Sequence, residues 1–251
     1  MISYTIRPLN TGHQYLDKSQ YTTFRRNEGE MIDLPVFAYL VEGNGRKILV
    51  DTGMADTERS KQYHHDGLQE PGQAIHEHME RLGIGLDEID IIIFTHLHWD
   101  HCYNMKKFTR ARYYVSEKEY RFALDPIPFY AKSYETPSLG IGCPWEGCRF
   151  NLIPGEEDIL EGIRAIQTPG HSPGHMAVAV QTEKGVYILA GDLYFVRENL
   201  EPDKETGWPF YPAARFCNVL EWWKSVEEVL RRGDFLMGTH DPIILEKEIY
   251  P

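Results

Sequence analysis

The stretch Thr95-His96-Leu97-His98-Trp99-Asp100-His101 limits what this chain can become more than any other part of it. It puts three imidazoles and one carboxylate into six positions, directly after the apolar run Ile91-Ile92-Ile93-Phe94. Residues at i and i+2 on the end of a strand point to the same side, so His96 and His98 face together, and Asp100 and His101 follow as the chain turns away. Such a knot can hold metal. Its place is the loop after a buried strand, where sheet proteins collect their ligand sites.

The rest of the chain supplies strands to carry it. Residues 2 to 8 alternate and read as an edge strand, and a polar loop rich in Tyr, Arg and Thr covers 11 to 33. Two β-rich runs, 36 to 41 and 47 to 51, are joined through Glu42-Gly43-Asn44-Gly45, which is hairpin chemistry. Residues 54 to 72 have no clear period and are expected to form a mobile loop near the substrate. Ala74, Ile75, Met79 and Leu82 recur at helical spacing, with Gly83 as the stop. The strand after them is apolar throughout, as expected where both faces are covered.

Beyond the knot, residues 111 to 115 read as a strand, and Ser116 and Glu119 fit a capping box at a helix start. Five prolines between 125 and 148 predict an irregular lid or insertion. Short strands follow at 149 to 153, 162 to 167, 175 to 181 and 186 to 190. Two Pro-Gly units within 168 to 175 fix a tight loop presenting His171. A long amphipathic helix is expected from about 213 to 232, its apolar face made of Phe216, Val219, Leu220, Trp223, Val226 and Leu230, with Gly233 at its end. The last strand, 235 to 237, leads through Gly238-Thr239 to His240.

Each remaining candidate ligand, His171, Asp192 and His240, therefore follows a short apolar strand, as the 96 to 101 cluster does. Seven ligands divide into three His for one ion, two His and one Asp for a second, and one shared carboxylate, with room for a bridging hydroxide. Imidazole and carboxylate without thiolate suit two Zn²⁺ per chain, with Mn²⁺, Fe²⁺ or Co²⁺ as alternatives. An open coordination position marks a catalytic site rather than a structural one.

Composition narrows the partners. The net charge of −12, from 38 acids against 26 bases, disfavours nucleic acid or an anionic membrane surface, and a neutral or cationic small substrate is easier to reconcile with it. No apolar run approaches the roughly 18 residues that span a bilayer, and the N-terminus lacks the pattern of a signal peptide, so a cytoplasmic location is expected. The four cysteines do not make a disulfide framework. Cys102 reads as a small buried residue, and Cys143 and Cys148 as loop thiols. His175 lies beside a complete ligand set and reads as a supporting residue. Asp51 either holds a ligand histidine or makes a plain strand-end turn, Trp99 is a candidate pocket wall, and His64, His65, His76 and His78 read as surface residues without a role.

In this order, Asp51-Thr52-Gly53, HxHxDH at 96 to 101, Gly170-His171, Gly191-Asp192 and Gly238-Thr239-His240, the chain resembles the metallo-β-lactamase superfamily over nearly its whole length. Within it, the stretches 34 to 36, 48 to 54, 96 to 101 and 168 to 175 are most similar to the N-acyl-homoserine lactonases. The resemblance implies a single α/β domain over 1 to 251, an αββα four-layer sandwich of two mixed sheets with helices outside. It implies that His96, His98 and His171 hold one metal, that Asp100, His101 and His240 hold the other, and that Asp192 bridges them. It also implies a quorum-quenching type of chemistry, the opening of a lactone ring by a bridging hydroxide, with Asp100 carrying the proton to the leaving oxygen. A homodimer through the aromatic N-terminal loop rests on the same family analogy.

One position departs from the pattern. In the lactonases a tyrosine three residues after the bridging aspartate assists the carbonyl or the leaving oxygen. Here Phe195 holds that place, and Tyr194, one residue earlier, is the candidate catalytic tyrosine. Adjacent strand residues face opposite ways, so which of the two lines the site stays open. A ring-fused lactone such as that of the 4-pyridoxolactonases is an alternative substrate, and a strained cyclic amide or thioester would use the same machinery. A glyoxalase-II-like thioesterase would need a basic C-terminal helical domain, whereas this chain ends eleven residues after His240. A mononuclear iron dioxygenase would leave Asp100, His101 and His240 without a purpose.

Overall fold

The computed structural model describes residues 3–251, whose strands pair into two sheets. The first contains β1 (Thr5–Asp17), β2 (Met31–Gly43), β3 (Arg46–Val50), β4 (Asp66–Leu68), β5 (Ile91–Ile93), β6 (Arg112–Ser116) and β7 (Phe150–Ile153), in the order β4-β1-β2-β3-β5-β6-β7. The second contains β8 (Glu157–Leu160), β9 (Ile163–Gln167), β10 (Met176–Thr182), β11 (Gly185–Gly191) and β12 (Phe235–Gly238), in the order β12-β11-β10-β9-β8. Both sheets are mixed: β3, β5, β6 and β7 run parallel, as do β11 and β12, and the other pairs are antiparallel.

Alternation along the strands explains the layers. Ile91 and Ile93 of β5 turn inward with Tyr39, Val41, Ile48 and Val50 and meet Ile163, Ala165, Val178 and Leu189 of the other sheet. Ile92 turns outward against Ile75 and Met79 of α3 (Ile75–Arg81) and Ala123 of α5 (Glu117–Leu124). On the far side, Ile166, Ala177 and Ile188 pack against Trp222, Val226 and Val229 of α6 (Val219–Arg232). Two sheets face to face with helices outside make the αββα sandwich that the sequence resemblance implies.

Several boundaries differ from expectation. The first strand runs on to Asp17; Ile2, where it was expected to start, lies outside the described residues. Its residues 5 to 10 pair with β2 on one side and, among the described residues, meet only a single bridge, Ile6 to Tyr250, on the other, as befits the expected edge. Residues 13 to 15 pair with both β2 and β4. The extension takes residues 11 to 17 out of the expected polar loop, and α1 (Lys18–Tyr21) shortens it further. The segment 54 to 72, expected to be mobile, contains α2 (Thr57–Tyr63), capped by Asp56, and β4. The strand β8 was not foreseen, because Glu157-Asp158 gives it an acidic, exposed start.

The last helix begins at Val219, not near 213. The Asn218 side chain accepts from the Leu220 and Glu221 amides and caps it there. Its buried face is Trp222, Ser225, Val226 and Val229, while Val219, Leu220 and Leu230 are exposed, so the expected apolar face was turned by part of a helical step. The Asn44-Gly45 turn has φ +52° and +69° at its two central positions, the two-residue hairpin geometry expected there.

Candidate metal centre

The strand ends bring the seven candidate ligands to one edge of the sandwich. The chain leaving β5 carries His96 and His98 and then enters α4 (Trp99–Cys102) with Asp100 and His101. His171 follows β9, Asp192 follows β11, and His240 follows β12, whose parallel pairing sets Gly191 opposite Gly238. All seven side chains are buried, between 0% and 6% exposed.

Three ring nitrogens meet at one point. His96 Nε2 lies 3.0 Å from His98 Nδ1, which lies 3.1 Å from His171 Nε2. Nitrogens about 2.0–2.1 Å from a tetrahedral zinc stand about 3.3 Å apart, so this spacing fits a shared ion. Burial, and then the neighbouring imidazoles, hold His96 and His98 well below the usual imidazole range, and burial pushes His171 down to about 4. All three are neutral at pH 7, the form that ligates.

A second convergence lies beside it. Asp192 Oδ1 is 3.1 Å from His101 Nε2 and 3.3 Å from His240 Nε2, and Asp100 approaches His240 Nε2 at 3.7 Å. The other oxygen of Asp192, Oδ2, points to His171 Nε2 at 3.5 Å. One carboxylate thus offers an oxygen to each cluster. Despite their proximity, His101 Nε2 and Asp192 Oδ1 are not aligned as donor and acceptor, and both are buried without a hydrogen-bond partner. Buried polar atoms are seldom left so, and two such atoms aimed at a common point suit a cation between them. The residues present therefore fit divalent metal.

The ring nitrogens facing away from the centre are fixed by acceptors. His101 Nδ1 donates to Asp51 Oδ2 at 2.8 Å, His240 Nδ1 to the Pro35 carbonyl at 2.8 Å, and His171 Nδ1 to the Arg215 carbonyl at 3.0 Å. Each bond sets the tautomer and leaves Nε2 free to ligate. Asp51 also accepts the amide and hydroxyl of Thr95, both at 2.8 Å, and so acts as a ligand holder rather than a plain turn. His175 supports the site through the backbone: its Nε2 accepts the Asp192 amide at 3.2 Å.

The cleft above the ligands is walled by Gln14, Tyr21, His65, Trp99, Phe195 and Arg215. Phe195 stacks on the His240 ring, centroids 5.0 Å apart and planes 5° off parallel. Of the two adjacent aromatic residues, Phe195 lines the cleft, while Tyr194, the candidate catalytic tyrosine, is buried behind it. Its ring is fully buried against Gly238, and its hydroxyl has no hydrogen-bond partner. The turn after β11 sends consecutive side chains to opposite sides.

Several wall or support residues carry no signal in the sequence, among them Gln14, His65, His64 and Arg215. Gln14 Nε2 donates to Asp100 Oδ2 at 2.6 Å across 86 positions of chain, which no local pattern signals. His65 lines the cleft and meets the Tyr21 hydroxyl at 3.0 Å. His64, read as a surface residue, is buried, stacks on Trp99 at 4.0 Å and meets Glu135 Oε1 at 2.7 Å. Arg215 was expected inside the long helix, but the irregular run before Asn218 turns it to the cleft. The cysteines are free thiols, as expected.

Layers of this kind, with a buried His and Asp cluster at the strand ends, define a class of metal-dependent hydrolases. The chain belongs to the metallo-β-lactamase superfamily, whose family model matches residues 31–235. It is similar to the N-acyl homoserine lactonase AiiA of Bacillus thuringiensis subsp. kurstaki, 31% identical over 185 residues, 70% of either chain. It is also similar to the N-acyl homoserine lactonase AiiB of Agrobacterium fabrum, 24% identical over 193 residues, 68% of this chain and 67% of the relative. A solved quorum-quenching N-acyl homoserine lactone lactonase superposes with a TM-score of 0.77 at 25% identity, over 97% of this chain and 94% of the other. AidC, a dizinc quorum-quenching lactonase solved with a product, shares the fold with a TM-score of 0.70 at 15% identity, over 96% and 89% of the two chains.

Proposed function

We propose that the protein is a lactonase, a dinuclear metal hydrolase that opens the ring of an acyl-homoserine lactone or a related lactone. The observation that carries this reading is Asp192, whose two oxygens face two separate histidine clusters. In this reading His96, His98 and His171 would hold one Zn²⁺, Asp100, His101 and His240 would hold a second, and Asp192 would serve both. Because both sheets contribute ligands, residues 1 to 251 act as one hydrolase domain.

Two divalent ions bound there supply a hydroxide near neutral pH and polarise the ester carbonyl. The chain's own residues do the rest. Gln14 donates to Asp100 Oδ2 and fixes the carboxylate, and one oxygen of Asp100 takes the proton left when the nucleophile adds to the carbonyl carbon. When the ring C–O bond breaks, the same oxygen returns that proton to the leaving alkoxide. Trp99 and Phe195 cover the ligands and keep bulk water from them.

The test is a screen of zinc-loaded protein against acyl-homoserine, aliphatic and aromatic lactones, with ring opening followed by proton release. Turnover that disappears together with bound metal in Asp192→Ala supports the proposal. Turnover of thioesters with inactivity on every lactone overturns it.

A further inference from the structure

Among the described residues, Arg215 is the one guanidinium lining the cleft, and none of them gives it an acidic partner. No carboxylate among the described residues forms an ion pair with it, whereas Arg26 is held by Asp203 and Arg59 by Glu135. Its side chain is partly buried, donates to Ser133 Oγ at 3.2 Å and lies 5.6 Å from the centre of the Tyr21 ring. A guanidinium has five donors in a fixed fork, so one neutral contact leaves most of them unused. The fork's natural complement is a carboxylate bound through two parallel hydrogen bonds.

The backbone holds this side chain in place. The Arg215 carbonyl accepts from His171 Nδ1 at 3.0 Å, and the amides of Cys217 and Asn218 both donate to the Gly170 carbonyl, at 2.7 and 3.1 Å. The segment bearing Arg215 is therefore tied to the loop that carries a candidate ligand. The polar groups around it, Gln14, Tyr21, His65 and Ser133, also differ from the apolar trough that a long acyl chain would need. The net charge of −12 does not oppose this, because charges farther than about 8 Å are screened at physiological ionic strength and the cleft's own charges decide.

We propose that Arg215 recognises a carboxylate on the substrate, so that the lactone opened here carries an anionic group beside its ring; this rests on the lactonase reading above. The reaction would add hydroxide to the ring carbonyl, break the ring C–O bond and protonate the alkoxide, converting an anionic lactone into a hydroxy-dicarboxylate.

The experiment compares three lactones on zinc-loaded protein: 5-oxotetrahydrofuran-2-carboxylate, γ-butyrolactone and N-hexanoyl-homoserine lactone. The expected result is a kcat/KM for the carboxylated lactone at least about 10-fold above either neutral one, in line with a hydrogen-bonded charge pair. Arg215→Gln should remove that ratio, and Arg215→Lys, which keeps the charge, should restore part of it. Because a ratio is read, general damage cancels. Neutral lactones opened equally well or better, or a ratio unchanged in Arg215→Gln, overturn the inference and leave the lactonase reading standing. If no lactone turns over, that reading falls, and calorimetry still decides the inference. Binding of 2-hydroxyglutarate no tighter than 4-hydroxybutyrate, or equally tight to Arg215→Gln, refutes carboxylate recognition; a preference lost in Arg215→Gln and regained in Arg215→Lys upholds it.

Discussion

Glu119 Oε2 accepts the Ser172 hydroxyl at 2.6 Å, and through that pair one buried carboxylate ties the loop after β9 to the loop after β5. The same oxygen takes the Gly174 amide at 3.2 Å, while Oε1 takes the Leu97 amide at 3.1 Å and the Tyr134 hydroxyl at 2.7 Å. His96 and His98 flank Leu97, and His171 precedes Ser172, so Glu119 sets the distance between candidate ligands of one cluster.

Removing that carboxylate should be costly. Glu119→Ala strands four buried donors and should destabilise the protein by about 3 kcal/mol or more, with weaker metal binding. Glu119→Gln keeps one accepting oxygen and should lose roughly half as much. Denaturant midpoints and competition with a chelator measure the two effects; a wild-type midpoint for Glu119→Ala would refute this role.

Asp51 acts one layer behind His101. It sits at φ +61°, in the left-handed region, which asparagine tolerates and alanine resists. Asp51→Asn should therefore fold normally yet bind metal about 10- to 100-fold more weakly, because the His101 ring loses its charged acceptor. Asp51→Ala should lose metal affinity and also about 1–2 kcal/mol of stability. Unchanged metal affinity in both variants would show that the Asp51–His101 bond is only structural.

The cluster of candidate ligands was legible because each is announced locally, by the HxHxDH spacing or by a glycine at the end of a short apolar strand. That β5 is covered on both faces was legible in the run at 91 to 93, apolar at every position, while the four-layer order came from the family resemblance. The walls of the cleft were not legible. Gln14 reaches Asp100 from a strand far away in sequence, and Glu119 fits a capping box so well that its inward turn leaves no trace. In the structure Ser116 makes no side-chain cap; its hydroxyl donates to Gln167 Oε1. Arg215 was hidden by helical periodicity that continued past the true start of α6, which only the cap at Asn218 decides.

The tyrosine after Asp192 offers a direct check on the cleft. Tyr194 carries a buried hydroxyl without a partner, so Tyr194→Phe removes a desolvated polar group and no contact to the substrate. Its kcat and KM should stay within about twofold of wild type, with stability equal or higher by up to about 1 kcal/mol. A hundredfold fall in kcat at unchanged stability would show that Tyr194 is the catalytic tyrosine.

His175 gives the pH dependence a sign. Its Nε2 accepts the Asp192 amide, and its Nδ1 faces the Thr168 carbonyl at 3.1 Å, so the ring is neutral and a second proton would oppose the Asp192 N–H. Burial, and then His171, push its pKa down to about 3 from an ordinary value of 6.5. Between those values the unfolded chain binds a proton that the folded chain refuses, so stability falls as the pH is lowered from about 6.5 towards 3 and is unaffected by this group above that window. His65, pushed down to about 4 mainly by burial, acts in the same direction. Unfolding free energies of metal-stripped protein, taken from pH 7.5 to 5.5 so that carboxylates contribute little, should show the slope. In His175→Gln that slope should shrink by up to about 1.4 kcal/mol per pH unit, the value for one proton. A steeper slope in the variant would mean that His175 is protonated in the folded protein, and that the Asp192 amide is held some other way.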